Sequence, residues 1–214
     1  MKIFFDVDGV LIDGWHADPA RRKPWDATIE EDLGVDREAF GRLFFAKSAE
    51  RPVSPMMECV SGRRDLKDAL AEVLPETGYT GTVDDFVAYW FEKDSNLDAD
   101  VFDIVARLAE SDDTQLYVAT GQEHYRARHL WDDLGFSRHF SGMFYSAKIG
   151  CLKHEPRFFE AINAELGIGP EEKPLFFDDT PRIVEQANAV GWDAVHFTGA
   201  HVIRDHPRLA RYLG

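Results

Sequence analysis

Short apolar runs without polar alternation constrain this chain more than any other feature. They are Ile3–Phe5, Leu116–Ala119, Met143–Tyr145, Leu175–Phe177 and Ala194–Phe197. Runs of this kind read as strands buried on both faces, the habit of parallel sheets. Helical patterns alternate with them at Asp100–Glu110, Glu123–Leu134, Pro156–Leu166 and Pro181–Val190, and Gly135, Gly167 and Gly191 supply stops. Alternation from about Asp98 onward predicts an α/β fold, a doubly wound parallel sheet of Rossmann-like type.

The stretch from about Gly14 to Leu97 breaks that pattern. It holds no convincing strand, and its helical segments are Asp36–Ala46, Arg63–Leu74 and Val83–Lys93. A structureless loop of this length is foreign to a compact domain. The expectation is therefore an all-helical lobe inserted after the first strand. Residues 1–13 and 98–214 would form a discontinuous core, with 14–97 inserted and hinges near Ile12–Trp15 and Asn96–Asp98.

Charge narrows the partners. At a formal −15, the chain repels nucleic-acid backbones and anionic membranes, so neither is an expected partner. A small anion can bind only where a metal or local Lys/Arg inverts the field. Cys59 and Cys151 make no disulfide framework. Without a secretory signal or an apolar run of membrane-spanning length, a reduced, cytoplasmic setting is expected. Oligomeric state leaves no trace in the sequence.

The strand ends carry the chemistry. In FFDVDGVL, Asp6 and Asp8 lie two apart, and if the strand runs on through them their side chains point the same way. Like charges held so close call for a cation or a proton between them. The second run ends at Thr120 in LYVATGQ, the fourth at Asp178 and Asp179 in LFFDDT, and Lys153 lies between them in SAKIGCLKHEPRFF. Ligands of open α/β sheets bind beyond the carboxyl ends of the strands. Asp6, Asp8 and Asp179 are hard oxygen donors suited to Mg²⁺. Thr120 and Lys153 suit phosphoryl oxygens. One Asp can act as nucleophile and a neighbouring Asp as general acid and base.

These four motifs, in this order, resemble those of the haloacid dehalogenase superfamily of phosphohydrolases. FFDVDGVL resembles its DxDG[TV] motif, YVATGQ its apolar strand ending in Ser or Thr, SAKIGCLKHEPRFFE its lysine motif and LFFDDT its acidic pair. The helical insertion stands where that superfamily carries its C1-type cap. The resemblance implies Asp6 as nucleophile and metal ligand, and Asp8 as general acid/base and a ligand through its carbonyl. It implies Thr120, Gly121 and Lys153 on phosphate, Asp179 on Mg²⁺, and Asp178 ligating or orienting a water. The implied activity is a Mg²⁺-dependent phosphatase acting on a small phosphorylated metabolite through an aspartyl-phosphate. The alternatives are a phosphomutase, a dehalogenase attacking carbon, or a non-catalytic phosphate-binding protein. Asp8 argues against the dehalogenase, because that branch generally lacks the second Asp.

Three positions depart from the usual motifs. His154 replaces a proline, Gly121 a common Asn, and Ile183 a frequent Asn or Asp whose polar support near the metal is thereby lost. Lys148 competes with Lys153, but the Ser146–Gly150–Lys153 spacing favours Lys153. An EF-hand loop starting at Asp6 fails, with Leu11 at its sixth position and Ala17 at its twelfth. A receiver domain fails on order, since its acidic pair comes early. His124, the basic run Arg21–Arg22–Lys23, and Arg63 with Arg64 read as solvated groups; Trp90 and Trp131 read as core.

Overall fold

The computed structural model describes residues 1–13 and 23–214. β1 (Lys2–Phe5), β2 (Gln115–Thr120), β3 (Gly142–Tyr145), β4 (Leu175–Asp178) and β5 (Asp193–His196) form one parallel sheet, ordered β3-β2-β1-β4-β5. Each coincides with a predicted apolar run to within a residue at either end. The strand order reverses direction at β1, which makes the carboxyl end of β1 the topological switch point where ligands of such sheets bind.

Alternation of side chains along a strand divides the core into two layers. Ile3 and Phe5 enter one layer with Val118, Phe177 and the helix Ala99–Ala109. Phe4 enters the other with Tyr117, Phe176 and the helix Pro156–Leu166. Trp192 closes the second layer, its ring 4.4 Å from Phe4 and its indole N–H donating to Asn163 at 2.8 Å. Both faces of the sheet are dry, so strands without polar alternation suit it.

The regular structure of residues 29–93 is all helical, and its helices share their own apolar core, in which Phe40, Phe44, Leu70, Phe86 and Trp90 are buried. Two expectations here need correcting. The segment predicted as Arg63–Leu74 begins at Leu66, because Asp65 caps it by accepting from the amides of Lys67 (2.8 Å) and Asp68 (3.2 Å). A helix at Pro55–Val60 was not anticipated; Ser54 caps it and proline takes its first position. The predicted helices Asp36–Ala46 and Glu123–Leu134 each widen at their ends, passing from α-helix into a π-helical turn at Gly41–Phe45 and His129–Asp133. Short helices at Ala200–Arg204 and Ala210–Leu213, also unforeseen, add Ile203 and Leu213 to the first layer.

The chain leaves and re-enters the sheet region side by side. Asp13 N donates to Asn96 O at 2.8 Å, Asn96 Nδ2 to Asp13 O at 3.0 Å, and Asp98 N to Leu11 O at 3.0 Å. Gly14 and Trp15, part of the expected first hinge, lie outside the described residues. Among the described residues no helix is long and apolar enough to cross a membrane. Cys59 and Cys151 are buried free thiols.

Candidate active site

β1 ends at Phe5, as its apolar run predicts, so the strand does not continue through the two aspartates and the pleat does not align them. Asp6 still joins the sheet, its N–H donating to Phe177 O at 3.0 Å, but then the chain turns. Val7 O accepts from Val10 N at 3.2 Å and from Ile12 N at 2.8 Å. Asp8 owes its position to this turn rather than to the pleat. Gly9 makes the turn possible at φ +81°, and a Cβ there would stand 2.3 Å from Asp179 Oδ2. The turn and the β4 carboxylate are thus packed as closely as a glycine allows. Gly9→Ala is expected to cost about 1–2 kcal/mol from the left-handed backbone alone and to push Asp179 aside besides. Thermal melting should show a fall of at least several degrees, and Asp179 should lose its place beside the turn. A wild-type Tm would mean that the turn yields freely.

Lys153 is the hub of the strand ends. Its Nζ donates to Asp178 Oδ2 at 2.9 Å and lies 2.5 Å from Asp6 Oδ2. Asp178 is fully buried, and its second oxygen accepts from Thr180 N at 2.9 Å. Carboxylate oxygens of Asp6, Asp178 and Asp179 lie within 4.8 Å of one another. Burial pushes the Asp6 carboxyl well up, the Lys153 ammonium pulls it back, and the charges of Asp178, Asp179 and Asp8 add to the upward push. Burial also opposes the charge on Lys153, but Asp6 and Asp178 outweigh it and hold the lysine above its ordinary range. Asp179 is raised by burial and by Asp178. One ammonium for this many acids leaves the cluster short of positive charge.

That shortfall fits a divalent cation. Asp6 Oδ1 is buried and has no hydrogen-bond partner among the described residues, and hard carboxylate oxygens are the donors Mg²⁺ takes. Thr120, fully buried at the end of β2, also has a hydroxyl without a partner among the described residues, as does Ser146. Gly121 follows Thr120, and a Cβ on it would stand 3.9 Å from the Lys153 Cβ, so the β2 end runs alongside the lysine stem.

Asp8 stands apart from the trio. Gln122 Nε2 donates to its Oδ2 at 2.6 Å, and both residues line a cavity of about 860 Å³ between the sheet edge and the helical segment. Across that cavity stand Trp25, Trp90, Phe91 and Asp94. Arg126 spans the junction. It donates through Nη1 to the Ser95 hydroxyl at 2.8 Å and to Phe91 O at 3.3 Å, and through Nη2 to the Asp94 carbonyl. Burial, then the charge of Asp8, pushes the Asp94 carboxyl up to about 7 against the pull of Arg126. Glu123 caps the helix His124–Arg128, and burial pushes it up to about 7 too.

Sequence reasoning missed Gln122, Asp94 and Arg126. Gln122 had a signal, since it follows the Thr120–Gly121 strand end directly. Asp94 and Arg126 had none, because only the packing of one helix on another makes them neighbours.

The remaining expectations sort plainly. Lys148 is not brought to the cluster; it lies at the surface, 3.3 Å from Glu165. His124 is exposed and shares a 3.3 Å hydrogen bond with Tyr145. Arg64 pairs with Glu58 at 3.6 Å and with Glu72, and Arg63 is exposed. Ile183 is buried in the second apolar layer, so the polar support it replaces is absent here. Trp90 is buried in the helical core and Trp131 packs on the first layer. Lys23 lines the cavity from an exposed position, whereas Arg21 and Arg22 lie outside the described residues.

Residues 3–191 match the family model of haloacid dehalogenase-like hydrolases. No curated protein sequence matches the chain. Among solved structures, the fold is similar to a haloacid dehalogenase family enzyme of Bacteroides thetaiotaomicron in complex with magnesium and inorganic phosphate. That match has a TM-score of 0.69 at 16% identity and covers 91% of this chain and 92% of the other. A predicted haloacid dehalogenase-like hydrolase of Porphyromonas gingivalis matches at a TM-score of 0.65 and 22% identity, covering 98% and 97% of the two chains. The L-2-haloacid dehalogenase of Xanthobacter autotrophicus with covalently bound chloropropionic acid matches at 0.60 and 17%, covering 91% and 76%.

Proposed function

This chain belongs to the haloacid dehalogenase-like hydrolases, and within that family we propose that it is a Mg²⁺-dependent phosphatase of a small phosphorylated metabolite. The observation that carries this reading is Lys153 held between Asp6 and Asp178 beside Asp179, with one Asp6 oxygen left without a partner. Asp6 and Asp179, the Asp8 carbonyl, and Asp178 directly or through a water would hold Mg²⁺. When bound, the ion supplies Lewis-acid polarisation of the phosphoryl oxygens. The magnesium and phosphate in the similar Bacteroides enzyme agree with this assignment.

The chain's own residues divide the work. Asp6 attacks phosphorus, and an Asp6–phosphorus bond forms as the bond to the leaving oxygen breaks. Asp8, held by Gln122 at the cavity wall, protonates that leaving oxygen. It then takes a proton from water, whose oxygen displaces Asp6 and releases phosphate. Lys153 and the Thr120 hydroxyl hold the remaining phosphoryl oxygens, and the lysine offsets charge that grows in the transition state. The helical segment is the cap, which excludes water from the reacting groups and presents the walls that meet the leaving group. Attack on carbon with loss of halide needs no such proton donor, so Asp8 with its Gln122 support favours phosphoryl transfer to water.

Phosphate release from p-nitrophenyl phosphate and a panel of phosphorylated metabolites, with Mg²⁺ or with chelator, tests the reading. Turnover is expected only with the metal. Mg²⁺ at about 100 times its Kd should also stabilise the fold by about 2.7 kcal/mol, a rise in Tm of roughly 5–10 °C for a chain of this size. Chloride release from a 2-haloacid, or no phosphate from any ester with Mg²⁺ present, would overturn it.

A further inference from the structure

The cavity beside Asp8 carries a charge pattern that says what kind of leaving group it takes. Among the described residues, its basic side chains are nearly all already paired. Arg37 lies 2.9 Å from Asp26, Lys93 lies 3.3 Å from Asp32, and Arg126 is committed to the carbonyls of Phe91 and Asp94 and to Ser95. Lys23 remains, but at an exposed position. Asp94 is different. About a third of its side chain (32%) is open; it is loosely ion-paired with Arg126 Nη2 at 3.8 Å and hydrogen-bonded by Trp90, and neither partner covers its open side. This carboxylate faces the same space as Asp8, against a wall of aromatic rings in which Trp25 stacks on Trp90 at 4.7 Å and 14°. Phe91 lines the same wall, with its ring 5.4 Å from the Arg126 guanidinium. Carboxylate and aromatic faces together form the surface that attracts an organic ammonium, by charge and by the quadrupole of the rings.

We propose that the substrate is the phosphate monoester of an amino alcohol, its ester oxygen at Asp8 and its ammonium at Asp94 against the aromatic wall. This rests on the phosphatase reading above and adds to it the class of leaving group. Asp94 is then the residue that sets specificity, and a cavity of about 860 Å³ leaves room for a metabolite with further substituents. A leaving group ending in a carboxylate would meet Asp94 as a like charge, and a neutral one would leave it only the longer pairing with Arg126 at 3.8 Å.

Three esters of equal length separate these cases: 2-aminoethyl, 2-hydroxyethyl and carboxymethyl phosphate, each measured as kcat/KM beside p-nitrophenyl phosphate. The ammonium ester is expected to lead the hydroxyl ester by about tenfold or more, the worth of a charged hydrogen bond, and the carboxymethyl ester to come last. Asp94→Asn should collapse the ratio between ammonium and hydroxyl esters, chiefly through a raised KM. Phosphate from p-nitrophenyl phosphate without an ammonium preference, a preference for the carboxymethyl ester, or a ratio untouched by Asp94→Asn would overturn this inference alone. Failure on every ester, p-nitrophenyl phosphate included, would instead overturn the phosphatase reading with it.

Discussion

An Asp6→Asn protein is expected to release no phosphate at all, because an amide is a poor nucleophile and no neighbour can replace it. Lys153, Asp178 and Asp179 converge on the Asp6 carboxylate, whereas Asp8 lies at the cavity wall and is engaged by Gln122. Asp8→Asn should behave differently. Turnover should fall by about 10²–10⁴-fold, the usual worth of general acid–base catalysis. With a leaving group that needs no proton, such as p-nitrophenolate, the first step should survive. Hydrolysis would then lag for want of a base, and phosphate should accumulate on Asp6. Peptide mapping of quenched samples by mass spectrometry distinguishes the two roles. Phosphate found on Asp8, or wild-type turnover in Asp6→Asn, would reverse them.

Lys153→Ala should be the next most damaging change, at about 10²-fold or more in turnover, since the lost charge acts where transition-state charge develops. It also strips the positive partner from two buried carboxylates. Breaking a buried pair from one side costs about 3–5 kcal/mol unless the acids take up protons. Burial and the neighbouring acids already push Asp6 in that direction, and a protonated Asp6 cannot attack. The same substitution at Lys148 removes only a surface pair with Glu165, with both side chains about half exposed; such pairs are worth about 0–1 kcal/mol. Kinetics and melting of the two variants side by side test the ranking. A larger loss at Lys148 would move the phosphate-binding role there.

Much of this molecule is written in its local sequence. The five strands were legible because each is a run of side chains that only a sheet covered on both faces can bury. Phe4 and Phe5 point into opposite layers and are both fully buried, so no polar alternation interrupts the run. Parallel order followed from the helices between the runs, because parallel neighbours need a crossover. Helix ends were legible where a glycine supplies a positive φ, as at Gly135 and Gly167, and less so where a side chain caps, as at Asp65 and Ser54. The family resemblance, now matched over residues 3–191, came from strand-end motifs whose residue types are fixed by short-range chemistry.

What the tertiary structure decided lies wherever two distant segments meet. Asp8 takes its place from a turn that Gly9 permits and Asp179 packs against, because the strand has already ended at Phe5. Asp94 and Arg126 are 32 residues apart and unremarkable in sequence. They become neighbours only because the last helix of the inserted segment docks on the helix after β2. A side chain's type and its period along the chain are local properties, and they determined which residues are buried and which strands end in acids. Distances across the cavity are set by the packing of separate elements, so the partners of Asp94 and the walls around the leaving group belonged to the fold alone.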